Sequence, residues 1–131
     1  MKKIGFWLGA PVLLVSINAS AGEAENAFAD ELHQCAAYYE LGSQMVAAMN
    51  APQMAAVGER LQKSASEAQQ LADKYEAKEV AASAIEKAKE QMMASTGGQG
   101  MGALMRQYKD KCQQILSNPQ ERLNYWIMAK M

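Results

Sequence analysis

The sequence predicts an all-α fold: an antiparallel helical bundle of about four main helices plus a short C-terminal helix, stapled by one disulfide. Three observations carry this expectation. Apolar residues recur at alternating steps of three and four along most of the chain, and no run alternates apolar and polar residues as a half-buried strand would. Alanine, the strongest helix former, occurs 21 times in residues 22–131. Cys35 and Cys112 both fall on apolar helical seams, so both side chains are expected to point into the core.

The first 21 residues read as a secretory signal peptide. Lys2 and Lys3 give a positive start, and Ile4 to Ile17 follows as a mostly apolar run. Ala19 and Ala21 then occupy the two small-residue positions of an A-x-A cleavage site. The apolar run is 14 residues long and contains Pro11. A bilayer crossing needs ~20 residues, so cleavage after Ala21 is expected rather than retention as an anchor. No cysteine follows the cleavage site to carry a lipid, and no second long apolar run exists. Residues 22–131 are therefore expected to form a single helical domain without a transmembrane segment, periplasmic or secreted.

Export bears on the cysteines. Cys35 could in principle be a nucleophile, a metal ligand, a packed thiol or half of a disulfide. An oxidising compartment favours pairing, and Cys35 and Cys112 leave no odd thiol. No C-x-x-C motif is present, and His33 is the lone histidine. Asp30, Glu31 and Glu40 surround Cys35 in sequence, and acidic neighbours raise a thiol pKa rather than activate it. A structural disulfide between Cys35 and Cys112 is the expectation.

Composition explains why a staple is useful. Leu, Val, Ile and Phe together number 14 in residues 22–131, a sparse set. Such scarcity accompanies disorder only when net charge is high, and the charge over residues 22–131 is −3. Nine methionines and the alanines make up the apolar surface, which suits thin, closely packed helices with a modest core.

The elements follow in order. A first helix is expected from about Glu25 to Met49, with Phe28, Leu32, Cys35, Tyr39, Gly42, Val46 and Met49 forming its seam. Pro52 ends it, and Asn50 is a candidate cap for the next helix. The second seam runs through Met54, Val57, Leu61, Ser64, Ala68, Leu71 and Tyr75. Continuing that register would bury Lys78 and Lys89. The apolar residues shift instead to Ala81, Ile85, Ala88 and Met92, which places a break near Asp73 to Glu79. The glycine-rich "STGGQGMG" of residues 95–102 is a linker. The next helix, about Met101 to Leu116, shows Met101, Leu104, Met105, Tyr108, Cys112, Ile115 and Leu116 on one face. Asn118 then offers an N-cap, Pro119 the first helical position and Glu121 the third. Leu123, Trp126 and Ile127 are expected on the buried side of this last helix. Residues 22–59 carry six acids and no Lys or Arg, whereas residues 97–131 carry five bases and two acids. The first helix and the C-terminal region should therefore attract.

Chemical motifs are few. Met45, Met49 and Met54, and Met92, Met93, Met101 and Met105, could offer thioethers to Cu(I), but most sit at seam positions that core filling explains. Haem ligation through a Met and His33 lacks a C-x-x-C-H attachment motif, and His33 is expected off the seam, exposed or half-buried. G-x-S-x-G is absent, and "GGQGMG" lacks the G-K-[ST] of a phosphate loop. Net charge and export disfavour nucleic acid.

Three blocks, C-A-A-Y-Y at 35–39, Y-K-D-K-C at 108–112 and N-P-x-x-R-x-x-x-W at 118–126, resemble small secreted helical proteins of Gram-negative bacteria. The resemblance implies that Cys35 faces Cys112 and implies no activity. The expected function is an exported, non-enzymatic helical protein that binds an envelope protein partner and needs no cofactor. Tyr125, Trp126 and Met128 are the candidate contacts. The alternative is a periplasmic metal (copper) or haem carrier using methionines.

Overall fold

A computed structural model gives the backbone of residues 3–96 and 100–131, and describes side chains over 22–96 and 100–131. The side chains of the expected signal peptide and the middle of the glycine-rich linker lie outside the described residues. Helix α1 spans Lys3–Ala48, followed by a short 3-10 turn at Pro52–Met54. Then come α2 (Ala55–Ala72), α3 (Lys78–Thr96), α4 (Met101–Ser117) and α5 (Pro119–Ala129). Among the described residues there is no strand, and no helix is long and apolar enough to cross a membrane.

Helix α1 is the hub, and each of α2 to α5 packs on it. Between Phe28 and Leu41 it is buried on almost every side, including Ala29, Leu32, Cys35, Ala36, Ala37, Tyr38 and Tyr39. Alanines at 36 and 37 let neighbouring helices approach closely. A helix enclosed in this way needs small or apolar residues all round rather than along one stripe. The single-seam reading therefore understated its burial, and it misplaced His33. That ring is buried, at 2 % exposure, because packing encloses the side of α1 opposite the expected seam as well.

The register shift past Tyr75 is real. Helix α2 ends at Ala72, a turn follows, and α3 begins at Lys78. Ala81, Ile85, Ala88 and Met92 are the buried face of α3. Phe28 meets Tyr75 edge-on at 5.5 Å, which anchors the end of the turn to α1.

Asn50 does not cap the next helix. It takes a left-handed conformation (φ 53°) just past the end of α1, where asparagine is tolerated, and Ala51 occupies the cap of the Pro52–Met54 turn without a side-chain bond. Gly42 lets α4 approach: a Cβ there would stand 2.7 Å from the terminal methyl of Met101 and 3.2 Å from Leu61.

Helix α4 runs antiparallel to α1. Met101 lies over Gly42, Tyr108 stacks on Tyr38 at 5.9 Å, and Cys112 is bonded to Cys35. The disulfide is thus present between two fully buried cysteines, with Cα atoms 5.6 Å apart, a normal bridging distance. Leu104 and Ile115 complete the buried face of α4. Met49 and Met105, expected on seams, are exposed: Met49 lies past the end of α1, and Met105 is turned about 100° around α4 from the buried Leu104.

Asn118 breaks the chain between α4 and α5. Its side-chain oxygen accepts the Glu121 backbone N–H at 3.4 Å, and Pro119 takes the first helical position. Leu123 and Trp126 pack against the core. Ile127, expected beside them, is 44 % exposed: its position on the wheel turns it about 100° from Trp126 and off the narrow contact face.

Candidate functional site

The polar residues that α1 buries define the site. Glu31 precedes Leu32 on the enclosed stretch and is 5 % exposed. Arg122 and Trp126 are four residues apart on α5, so one helical face carries both. The chain reversal at Asn118 lays that face on Glu31.

The resulting geometry gathers four donors on one carboxylate. Arg122 donates in a bidentate fork, Nε to Oε1 at 2.7 Å and Nη2 to Oε2 at 2.6 Å. The Trp126 indole N–H donates to Oε1 at 2.7 Å. Lys111 Nζ on α4 stands 3.3 Å from Oε2. The Arg122 guanidinium also lies 4.2 Å from the Tyr125 ring centre, and Tyr125 meets Trp126 edge-on at 5.2 Å. Burial alone would push the Glu31 carboxyl up. The hydrogen bonds from Arg122 and Trp126, with the charges of Arg122 and Lys111, outweigh it and hold the carboxyl below its usual value. The same contact raises Arg122. Glu31 is therefore an anion at neutral pH.

A second cluster lies where α1, α2 and α3 meet. Glu40 accepts from Gln69 and pairs with Lys89 at 2.7 Å, and Lys89 also reaches Glu86 at 2.8 Å. Burial would lower Lys89, but its hydrogen bonds to Glu40 and Glu86 raise it above the ordinary lysine value. An open cleft of about 390 Å³ runs beside it, lined by Gln69, Asp73, Lys78, Ile85 and Glu86. The Lys89–Glu40 pair ties α3 to α1, and Gln69 ties α2 to the same carboxylate.

His33 is the third feature. Neither ring nitrogen has a hydrogen-bond partner among the described residues, and Nε2 stands 3.6 Å from Glu76 in the α2–α3 turn. Among the described residues no group of three or more His, Cys, Asp and Glu side chains is placed to hold a metal ion. The methionines do not share one environment: Met92 is buried and Met101 half-buried, while Met49, Met93 and Met105 face outward.

The sequence-predicted contact residues divide. Tyr125 is 51 % and Met128 73 % exposed, both on the outer side of α5. Trp126 instead turns inward and donates to Glu31. Glu31, Arg122 and Lys111 were not singled out from sequence as a group. Two signals for them existed: the four-residue spacing of Arg122 and Trp126, and an acidic first helix facing a basic C-terminal region. No family model, curated protein or solved structure matches this chain.

Proposed function

We propose that this is an exported, non-enzymatic helical protein that binds a protein partner in the bacterial envelope through the outer face of α5. The observation that carries the reading is the exposure of Tyr125, Ile127, Met128 and Met131 together at the end of a helix whose inner face is already fastened. Aromatic residues and methionine are the types enriched at contact surfaces. The sequence pattern of residues 1–21 supports export, and a buried disulfide is compatible with an oxidising compartment. The pairing of Glu31 with Arg122, and of Glu40 with Lys89, supports a non-catalytic reading, because each polar cluster satisfies itself.

The test is comparative capture from envelope extract by the native protein and by a Tyr125→Ala, Met128→Ala double variant. Met128 lies on the exposed face, whereas Tyr125→Ala also removes the ring stacked on Arg122, so helicity should persist while the melt shows a loss of about 1 kcal/mol. Loss of a specific captured protein by the variant, with an affinity drop of roughly 30-fold for ~2 kcal/mol of contact, is expected. Equal capture by both proteins would refute the reading.

A further inference from the structure

We propose that α5 is an acid-released arm, held down at neutral pH by Glu31 and let go when that carboxylate takes a proton. No residue of α5 is fully buried. Its hold consists of Leu123 and Trp126 against the core, together with the Arg122 and Trp126 bonds to Glu31. Helix α5 packs mainly on α1 and α4, and those two are tied to each other covalently by Cys35–Cys112. The arm can therefore leave while the body stays closed.

The chemistry of the hub makes the release depend on one proton. Arginine, lysine and the indole nitrogen can only donate. A protonated Glu31 places an O–H among these donors and removes part of their only shared acceptor. The charged groups facing Glu31 are Lys111 from α4 and Arg122 from α5, the latter stacked on Tyr125. Both cations persist in acid, and once Glu31 is neutral they repel across the α4–α5 contact. The sign follows from a carboxyl held below its usual value near 4.5. Its stabilisation is present above that value and is lost as pH falls through the lower folded-state value. A freed α5 presents Leu123 and Trp126 together with Tyr125 and Met128, so both of its faces can make contact. That consequence rests on the reading that α5 is the binding element; the release itself does not.

Trp126 reports the event directly. The chain has two tryptophans, and Trp7→Phe in the full-length protein leaves Trp126 alone. As pH falls from about 7, its emission should shift reversibly to the red before the bulk of the helical circular dichroism is lost. Lys111→Met, at a half-exposed position, should move that midpoint to higher pH by removing a charge that favours the anion. Glu31→Gln, provided its circular dichroism remains helical, should show the shifted emission already at neutral pH. A single midpoint for emission and helicity, an emission unmoved until helicity itself is lost, or a midpoint indifferent to Lys111→Met would overturn the proposal. These readouts need no partner, so failure here leaves the binding reading intact. Failure of the capture comparison likewise leaves the release intact.

Discussion

Opening the Cys35–Cys112 bond should cost more stability than any other single covalent change in the chain. The bond joins residues 77 apart in sequence. In the chain-entropy treatment, a loop of that length removes about 15 cal/mol/K from the unfolded ensemble, or roughly 4.5 kcal/mol at 25 °C. A domain of about 110 residues unfolds with an entropy near ~230 cal/mol/K, so the melting temperature should fall by roughly 20 °C. Packing adds to the loss. Both cysteines are essentially unexposed, and two reduced sulfurs must separate to van der Waals distance inside a core already closed by Ala36, Tyr38 and Leu104. Set against a typical total of ~5–15 kcal/mol, the reduced protein should be marginal at 37 °C. The assay is thermal melting by circular dichroism of oxidised and reduced protein, after thiol titration in denaturant has shown no free thiol in the starting material. A fall of less than about 5 °C would refute the reasoning, and two free thiols in native protein would remove its premise.

Other predictions follow from individual side chains. His33→Leu should be neutral or stabilising by up to ~2 kcal/mol in a calorimetric melt, since it removes two unpartnered buried nitrogens. A loss above about 1 kcal/mol would instead mean that the 3.6 Å approach to Glu76 is a working interaction. Gly42→Leu should cost roughly 1–3 kcal/mol by urea unfolding, because Met101 and Leu61 already occupy the space. Truncation after Asn118 removes the packing of Leu123 and Trp126 and the Arg122 fork, a loss of about 3 kcal/mol read from the melt. An unchanged melting temperature in the truncated chain would show that α5 contributes nothing to the fold.

Much of the fold is legible because alanine and sparse large apolar residues leave few alternatives. The change of register from Tyr75 to Ala81 marks the α2–α3 break without any proline or glycine, and the structure puts the turn there. Asn118, Pro119 and Glu121 mark the start of α5 through local chemistry alone. What is not legible has one physical origin. A seam pattern assumes that each helix buries one face, but α1 is enclosed by four others. His33 lies off its seam and is read as exposed or half-buried, and nothing in the seam marks Glu31, yet both are buried. The site depends on that error. The block N-P-x-x-R-x-x-x-W shows Arg122 and Trp126 on one face, but nothing local shows that an acid ninety-one residues earlier is waiting beneath them.

Two fastenings sit one turn apart on α1, Cys35 for α4 and Glu31 for α5, and they answer to different conditions. The covalent one is indifferent to acid, and the ionic one is indifferent to reductant. If holding α5 in place were the sole requirement, apolar residues would serve as well, because buried ion pairs are often no more stabilising than a packed hydrophobic replacement. The double substitution Glu31→Met, Arg122→Leu makes this concrete. It removes both charges together, so no buried ion is left without a partner, and Lys111 is 41 % exposed and can remain hydrated. The Trp126 indole N–H loses its acceptor, at a cost of about 1 kcal/mol, which the added apolar contact offsets. At neutral pH the double variant should therefore melt within ~1 kcal/mol of the native protein. In acid its Trp126 emission should stay where the native protein's shifts, because no titrating group remains under the arm. A double variant destabilised by ~3 kcal/mol at neutral pH would show instead that the clasp exists for stability, and acid sensitivity would then be its by-product rather than its use.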